Sequence, residues 1–163
     1  MTRVWKFGSN VDTDQIVPGR YAPYLRPDDD VGQAAFIEAR PDFAKQAQPG
    51  DILVAGRNFG CGSSREYAPY ALKRREVGAI IAHSFARIFF RNAVNLGIPV
   101  FVAPDVIDAV NDGDEVELDV AHRQLVAAGV RHALPQLPGF VQEIIDGGGI
   151  VAYVRTHGRF PGE

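Results

Sequence analysis

A chain of 163 residues and 17.8 kDa, 46% hydrophobic, is long enough for one well-buried core and too short for two comfortable ones, so residues 1–163 are read as a single domain. A net charge of −3 with acids and bases interleaved offers no electrostatic footprint for nucleic-acid phosphates. Cys61 is the only cysteine, which excludes an internal disulfide framework and any cysteine-ligated metal cluster built from this chain alone. In chain order, a strand is expected first in "RVWKFG"; the opening "MTRVWKFGSN" has no apolar signal core, and no run approaches the roughly 18 apolar residues of a membrane helix, which makes the cytoplasm the expected compartment.

Residues 8–34 are rich in Asp, Pro and Gly and lack periodicity, a length at which a connection usually binds something or is disordered. Three apolar runs bounded by glycine, proline or polar residues then read as buried strands: "ILVAG" (52–56), "GAIIAHS" (78–84) and "IPVFVA" (98–103). Helical spacing fills the intervals, in "REYAPYALKRRE" (65–76), where Pro69 confines the regular helix to begin near it, and in "ARIFFRNAVNLG" (86–97), which Gly97 stops. The central third is therefore β-α-β-α-β. Downstream, "DEVELDV" (114–120) alternates as a half-exposed strand with "RQLVAAG" as its hairpin partner, and "GFVQEIIDGGGIVAYVRTHG" reads as two short helices parted by Gly147 to Gly149. The fold class is a mixed α/β domain.

The stretch "GRNFGCGSSRE" (56–66) follows a buried strand and leads into a helix, where open α/β sheets most often hold ligands. It fits neither a dinucleotide fingerprint, nor a phosphate P-loop, nor a hydrolase elbow. Ser63 to Glu66 also spells a capping box, a purely structural use of the same residues. Arg65, however, puts a cation beside the positive end of a helix, where it is disfavoured by roughly 0.3–1 kcal/mol unless an anion joins it. Gly60 and Gly62 remove side chains where a small anion would approach backbone N–H groups. The residues therefore point to a carboxylate or phosphate pocket with two hydroxyls, Ser63 and Ser64. Cys61 reads as a packing residue, and the four histidines are too scattered to share a ligand loop.

Three stretches, "VDTDQIVPGRY" (11–21), "GRNFGCGSSREYAP" (56–69) and "SFARIFFRNAVNLGIP" (84–99), together resemble the small subunits of 3-isopropylmalate dehydratase and homoaconitase, stand-alone counterparts of the aconitase swivel domain. The resemblance runs over nearly the whole chain. It implies the swivelling β/β/α architecture with a mixed sheet, and a hydro-lyase that isomerises a 2-hydroxy di- or tricarboxylic acid by removing water and adding it back the other way round. It also implies a large subunit that holds a [4Fe-4S] cluster, with this chain closing the other face of the site. By match to "GSSRE", Ser63 would be the catalytic base, with Ser64 and Arg65 holding substrate carboxylate oxygens. The "DTD" likeness puts Asp14 at the edge of the active site, hydrogen-bonded to a histidine of the large subunit; the structural alternative is a turn-forming aspartate, a role for which Asp12 is the better placed. The loop after "DTD" reaches the variable end of the substrate in this family. Arg26, in "YLR", there suits the extra carboxylate of homoaconitate over the isopropyl group of isopropylmalate, the alternative being a solvated arginine beside Asp28 to Asp30. Arg87 and Arg91, at i and i+4 of one helix, read as a structural or intersubunit pair of cations rather than as site residues. A non-catalytic anion-binding module would need the cation but not the hydroxyl beside it, so the pairing of Ser63 with Arg65 favours catalysis.

Overall fold

The computed structural model describes residues 1–22, 31–63 and 67–163. Its frame is one mixed seven-stranded sheet in the order β4-β3-β2-β1-β5-β6-β7. The strands are β1 (Thr2–Lys6), β2 (Ile52–Ala55), β3 (Ala79–Ala82), β4 (Val100–Val102), β5 (Glu115–Asp119), β6 (Gln124–Ala127) and β7 (Val130–Ala133). The first four run parallel, with Leu53 beside Ile80 and Ile81 beside Phe101. β5 turns back antiparallel on β1 and starts a meander through β6 and β7.

Both faces of the parallel half are covered, which is why its strands read as continuous apolar runs: every residue of β2 and β3 is buried. Alternate residues go to two cores. Trp5, Leu53, Ile80 and Val100 face one with helices α1 (Thr13–Ile16), α2 (Pro41–Gln46), α3 (Tyr67–Arg74), α4 (Arg87–Asn95) and α6 (Gly139–Asp146). Val4, Ile52, Ile81 and Phe101 face the other, covered by α5 (Pro104–Ala109) and by Val116, Leu125 and Leu134 around the meander. Each large aliphatic side chain so buried contributes about 1.5–3 kcal/mol. The last helix, α7 (Ile150–His157), packs back on α4 and α6.

Two polar ties fix β1 at its ends. The buried Asp51 carboxylate accepts from the Trp5 indole N–H (2.9 Å), the Gln48 amide (2.9 Å) and the Arg3 amide (3.2 Å), so a buried acid at the start of β2 is satisfied. At the other end Arg40 donates to the Lys6 carbonyl (2.8 Å) and pairs with Asp112 (2.6 Å). Burial alone would push the Asp112 carboxyl up, and hydrogen bonds from Arg40 and the Lys6 amide hold it below the usual carboxylate range.

Besides two short 3-10 turns, Gly19–Tyr21 and Val31–Ala34, four helices and strands among the described residues carry no periodic signal in the sequence. α1 has four residues, too short for periodicity, and is set by a capping box: the Asp12 carboxylate accepts from the Gln15 amide (2.7 Å) while the Gln15 side chain accepts from the Asp12 amide (3.0 Å). α2 and α5, six residues each, both open on a proline that is pre-shaped for a first helical turn. β7 is an exposed edge strand whose Arg131 and His132 conceal any alternation. The segment from residue 8 to 34 is no structureless loop where it is described, since Val11, Ile16, Val17 and Val31 are buried in the core. Among the described residues no helix is long and apolar enough to cross a membrane.

Candidate active site

The C-terminal ends of β1, β2 and β3 release three loops on one side of the sheet, and backbone hydrogen bonds sew them together. The Gly56 amide donates to the Gly8 carbonyl (3.0 Å) and the Asn10 amide to the Arg57 carbonyl (2.8 Å), joining the first loop to the second. The Phe59 amide donates to the Ser84 carbonyl (3.0 Å) and the Ala86 amide to the Phe59 carbonyl (2.9 Å), joining the second to the third. Asn58 sits at the junction with φ of 59°, a left-handed conformation that asparagine tolerates; its amide donates to the Ser84 hydroxyl (2.8 Å) and its side-chain amide to the Asn10 side-chain carbonyl (3.2 Å).

Further along, the glycine-serine loop is stapled to α1. The Gly60 amide donates to the Val11 carbonyl (2.7 Å) and the Thr13 amide to the Cys61 carbonyl (2.9 Å). This corrects one expectation, because the N–H of Gly60 is spent on Val11 and is not offered to an anion. Glycine is needed there for packing: at φ of +84°, an added Cβ would lie 2.1 Å from Cγ of Phe89. Gly62 differs from Gly60 in both respects. Its φ is +96°, the nearest atom to a Cβ there would be the Thr13 hydroxyl at 3.4 Å, and its amide has no hydrogen-bond partner among the described residues.

These loops and the start of α4 enclose a cleft of about 530 Å³, lined by Thr13, Asn58, Gly60, Gly62 and Ser63 on one wall and by Ala86 to Phe89, Arg91 and Asn92 on the other. Ser63 is exposed on that wall, and its hydroxyl makes no hydrogen bond with any described residue. The wall opposite holds Arg87 and Arg91, which the helical spacing had assigned to a structural or intersubunit role. Arg87 stands in the first turn of α4, whose Ala86 start has no side-chain cap, so a cation again occupies the positive end of a helix. Asp14 follows Thr13 on the exposed part of α1 and does not line the cleft; Asp12, expected to form a turn, instead caps α1. Ser64, Arg65 and Arg26, and the Glu66 half of the Ser63 capping box, lie outside the described residues.

A sequence model for the aconitase C-terminal domain matches residues 9–103, the span that carries all three loops and α4. The chain belongs to the aconitase C-terminal domain family. Within this aconitase family, the homoaconitase small subunit of Thermus thermophilus is 56% identical over the full length of both chains. The 3-isopropylmalate dehydratase small subunit 1 of Deinococcus radiodurans is 50% identical over all of this chain and 92% of its own. Among solved structures, 3-isopropylmalate dehydratase from Methanocaldococcus jannaschii superposes with a TM-score of 0.85 at 40% identity, covering 96% of this chain and 93% of that one. The aconitase-type mixed α/β fold expected from the sequence is thus the fold observed, and the relatives are small subunits of hydro-lyases.

Proposed function

We propose that the chain is the small subunit of a two-subunit cytoplasmic hydro-lyase that isomerises homoaconitate-type tricarboxylic acids in amino-acid biosynthesis, and that residues 1–163 act as one swivel-type domain. The observation that carries this reading is the cleft itself: a serine hydroxyl and two guanidiniums face one space, and no acid lines it among the described residues. That is a lining for a polycarboxylate.

In the proposed reaction Ser63, as alkoxide, takes the proton from the carbon next to a substrate carboxylate. The C–H electron pair becomes the new C=C bond while the hydroxyl on the neighbouring carbon leaves with its own pair, and water adds back across the alkene with the positions exchanged. A serine is a feeble base in water; the Gly62 amide, Arg65 beside it in sequence and exclusion of solvent by a second subunit would lower its pKa toward usefulness. Ser64 and Arg65 are assigned to substrate carboxylate oxygens by their place in "GSSRE", and Asp14, exposed beside the loop, to a histidine of the large subunit. A single cysteine cannot ligate a four-iron cluster, and no three His, Cys, Asp or Glu side chains converge among the described residues. The reading therefore gives the [4Fe-4S] group to the large subunit, where it would supply the Lewis acid for the substrate hydroxyl. An apolar groove of about 550 Å³ beside the cleft, which shares Arg87 and Arg91 with it and includes exposed Phe140 and Val102, supports a partner lying across this face.

The second reading, 3-isopropylmalate as substrate, is favoured by the names of relatives 46–51% identical. Arg26 separates the two. In the complex with a large subunit, Arg26→Val is expected to lower kcat/KM for homoaconitate by at least about tenfold, the effect of leaving one carboxylate without its charged partner. Turnover of isopropylmalate should hold or rise. If both substrates respond alike, or neither does, isopropylmalate becomes the assigned substrate.

A further inference from the structure

The proposed chemistry draws its base from the glycine-serine loop and leaves open which substrate group each cation of the opposite wall holds. Arg87 and Arg91 lie one turn apart on α4, where like charges repel unless an anion joins them. Other arginines near the core are occupied: Arg40 pairs with Asp42 and Asp112, and Arg75 donates to the carbonyls of Phe43, Ala44 and Ala47. By contrast, no acid, carbonyl or ring partners Arg87 or Arg91 among the described residues. The cleft they line has two cations and no acid in its described lining, on a chain whose net charge is −3. Local charge of the opposite sign to the whole, gathered in a concave space, is the arrangement that focuses an anionic ligand.

We propose that Arg87 and Arg91 form a carboxylate-binding subsite for the substrate, holding a carboxylate other than the one beside the proton that Ser63 removes. The proposal rests on the function proposed above. Two guanidinium forks on one helix face can share the lone pairs of one carboxylate, and α4 is a rigid support for them, held by Phe89 against Phe59 and Phe85. The subsite would bind tightest to the most highly carboxylated acid and would be used by every substrate of the enzyme, whereas Arg26 would act on one.

Two measurements test this. In the first, the full chain alone is titrated with propane-1,2,3-tricarboxylate, which has no hydroxyl to lose, while the arginine side-chain N–H resonances are followed by NMR at constant ionic strength. Saturable shifts of Arg87 and Arg91 at millimolar concentrations are expected, absent with chloride and lost in the Arg87→Gln/Arg91→Gln double variant. No saturable shift overturns the proposal. In the second, with the large subunit, each single glutamine variant should raise KM about tenfold or more at unchanged kcat and unchanged subunit affinity, and Arg→Lys should recover part of the loss. Weaker subunit assembly at unchanged KM would assign the pair to acids of the partner and overturn the proposal. Tricarboxylate binding without turnover in any large-small pair would leave the subsite standing and remove the proposed function instead.

Discussion

Ser63→Ala is expected to lower turnover of the assembled enzyme by about 10²–10⁴-fold, the range that a positioned general base contributes. KM should change little, since a hydroxyl that acts on the reacting C–H is felt in the transition state more than in the bound substrate. Stability should fall by no more than about 0.5–2 kcal/mol, the cost of losing a helix cap. Denaturant midpoints of the free chain and steady-state rates of the complex, measured on the same preparations, separate the two effects. A variant with near-wild-type turnover would reduce Ser63 to a helix cap.

Gly60→Ala is expected to cost the fold about 3 kcal/mol or more. The new Cβ would meet Cγ, Cβ and Cδ2 of Phe89 at 2.1, 2.4 and 2.6 Å, and these are the near end of the side chain, not a tip that can swing away. Retreat is blocked on the far side, where the Phe89 ring packs edge-on to Phe59 at 5.2 Å and lies parallel to Phe85 at 6.5 Å. Overpacking of this kind costs about 1–3 kcal/mol, and a left-handed backbone without glycine about 1–3 kcal/mol more. Gly113→Ala is the matched control, with φ of +86° and nothing within 4 Å of an added Cβ. Urea unfolding of the two variants should therefore differ by the steric part alone. Equal midpoints would mean that α4 is not pressed against the glycine loop as described.

What could be read from the residues was what depends on neighbours in sequence. β2 and β3 announce themselves because a strand buried on both faces is apolar at every position, and α4 because Ile88, Phe89, Asn92 and Leu96 recur at helical spacing, although Ile88 turns out exposed and Ala93 and Val94 carry the buried face with Phe89. The elements that escaped are those too short to show a period, α1, α2 and α5, and the exposed edge strand β7. An Asp-x-x-Gln capping box stood in the sequence at Asp12 to Gln15 and could have revealed α1. The cleft is different in kind. Its walls come from residues near 13, 60 and 90, joined by backbone hydrogen bonds that no spacing encodes, so Gly60 was taken for an anion cradle when Phe89 fills its place, and Arg87 and Arg91 were set apart from the cleft that they line. The family likeness supplied what periodicity could not, since it linked the "DTD" and "GSSRE" segments to one site before the loops were seen to touch.

The most direct test of the account is reconstitution. The chain and a cluster-bearing large subunit of the homoaconitase or isopropylmalate dehydratase type are purified separately and mixed, and the unsaturated acid formed from substrate is followed by its ultraviolet absorbance. The expected result is a colourless, inactive chain, an inactive large subunit, and activity that appears on mixing and saturates at one chain per large subunit. Dehydratase activity in the large subunit alone, or none in the mixture while the two proteins bind, would contradict it.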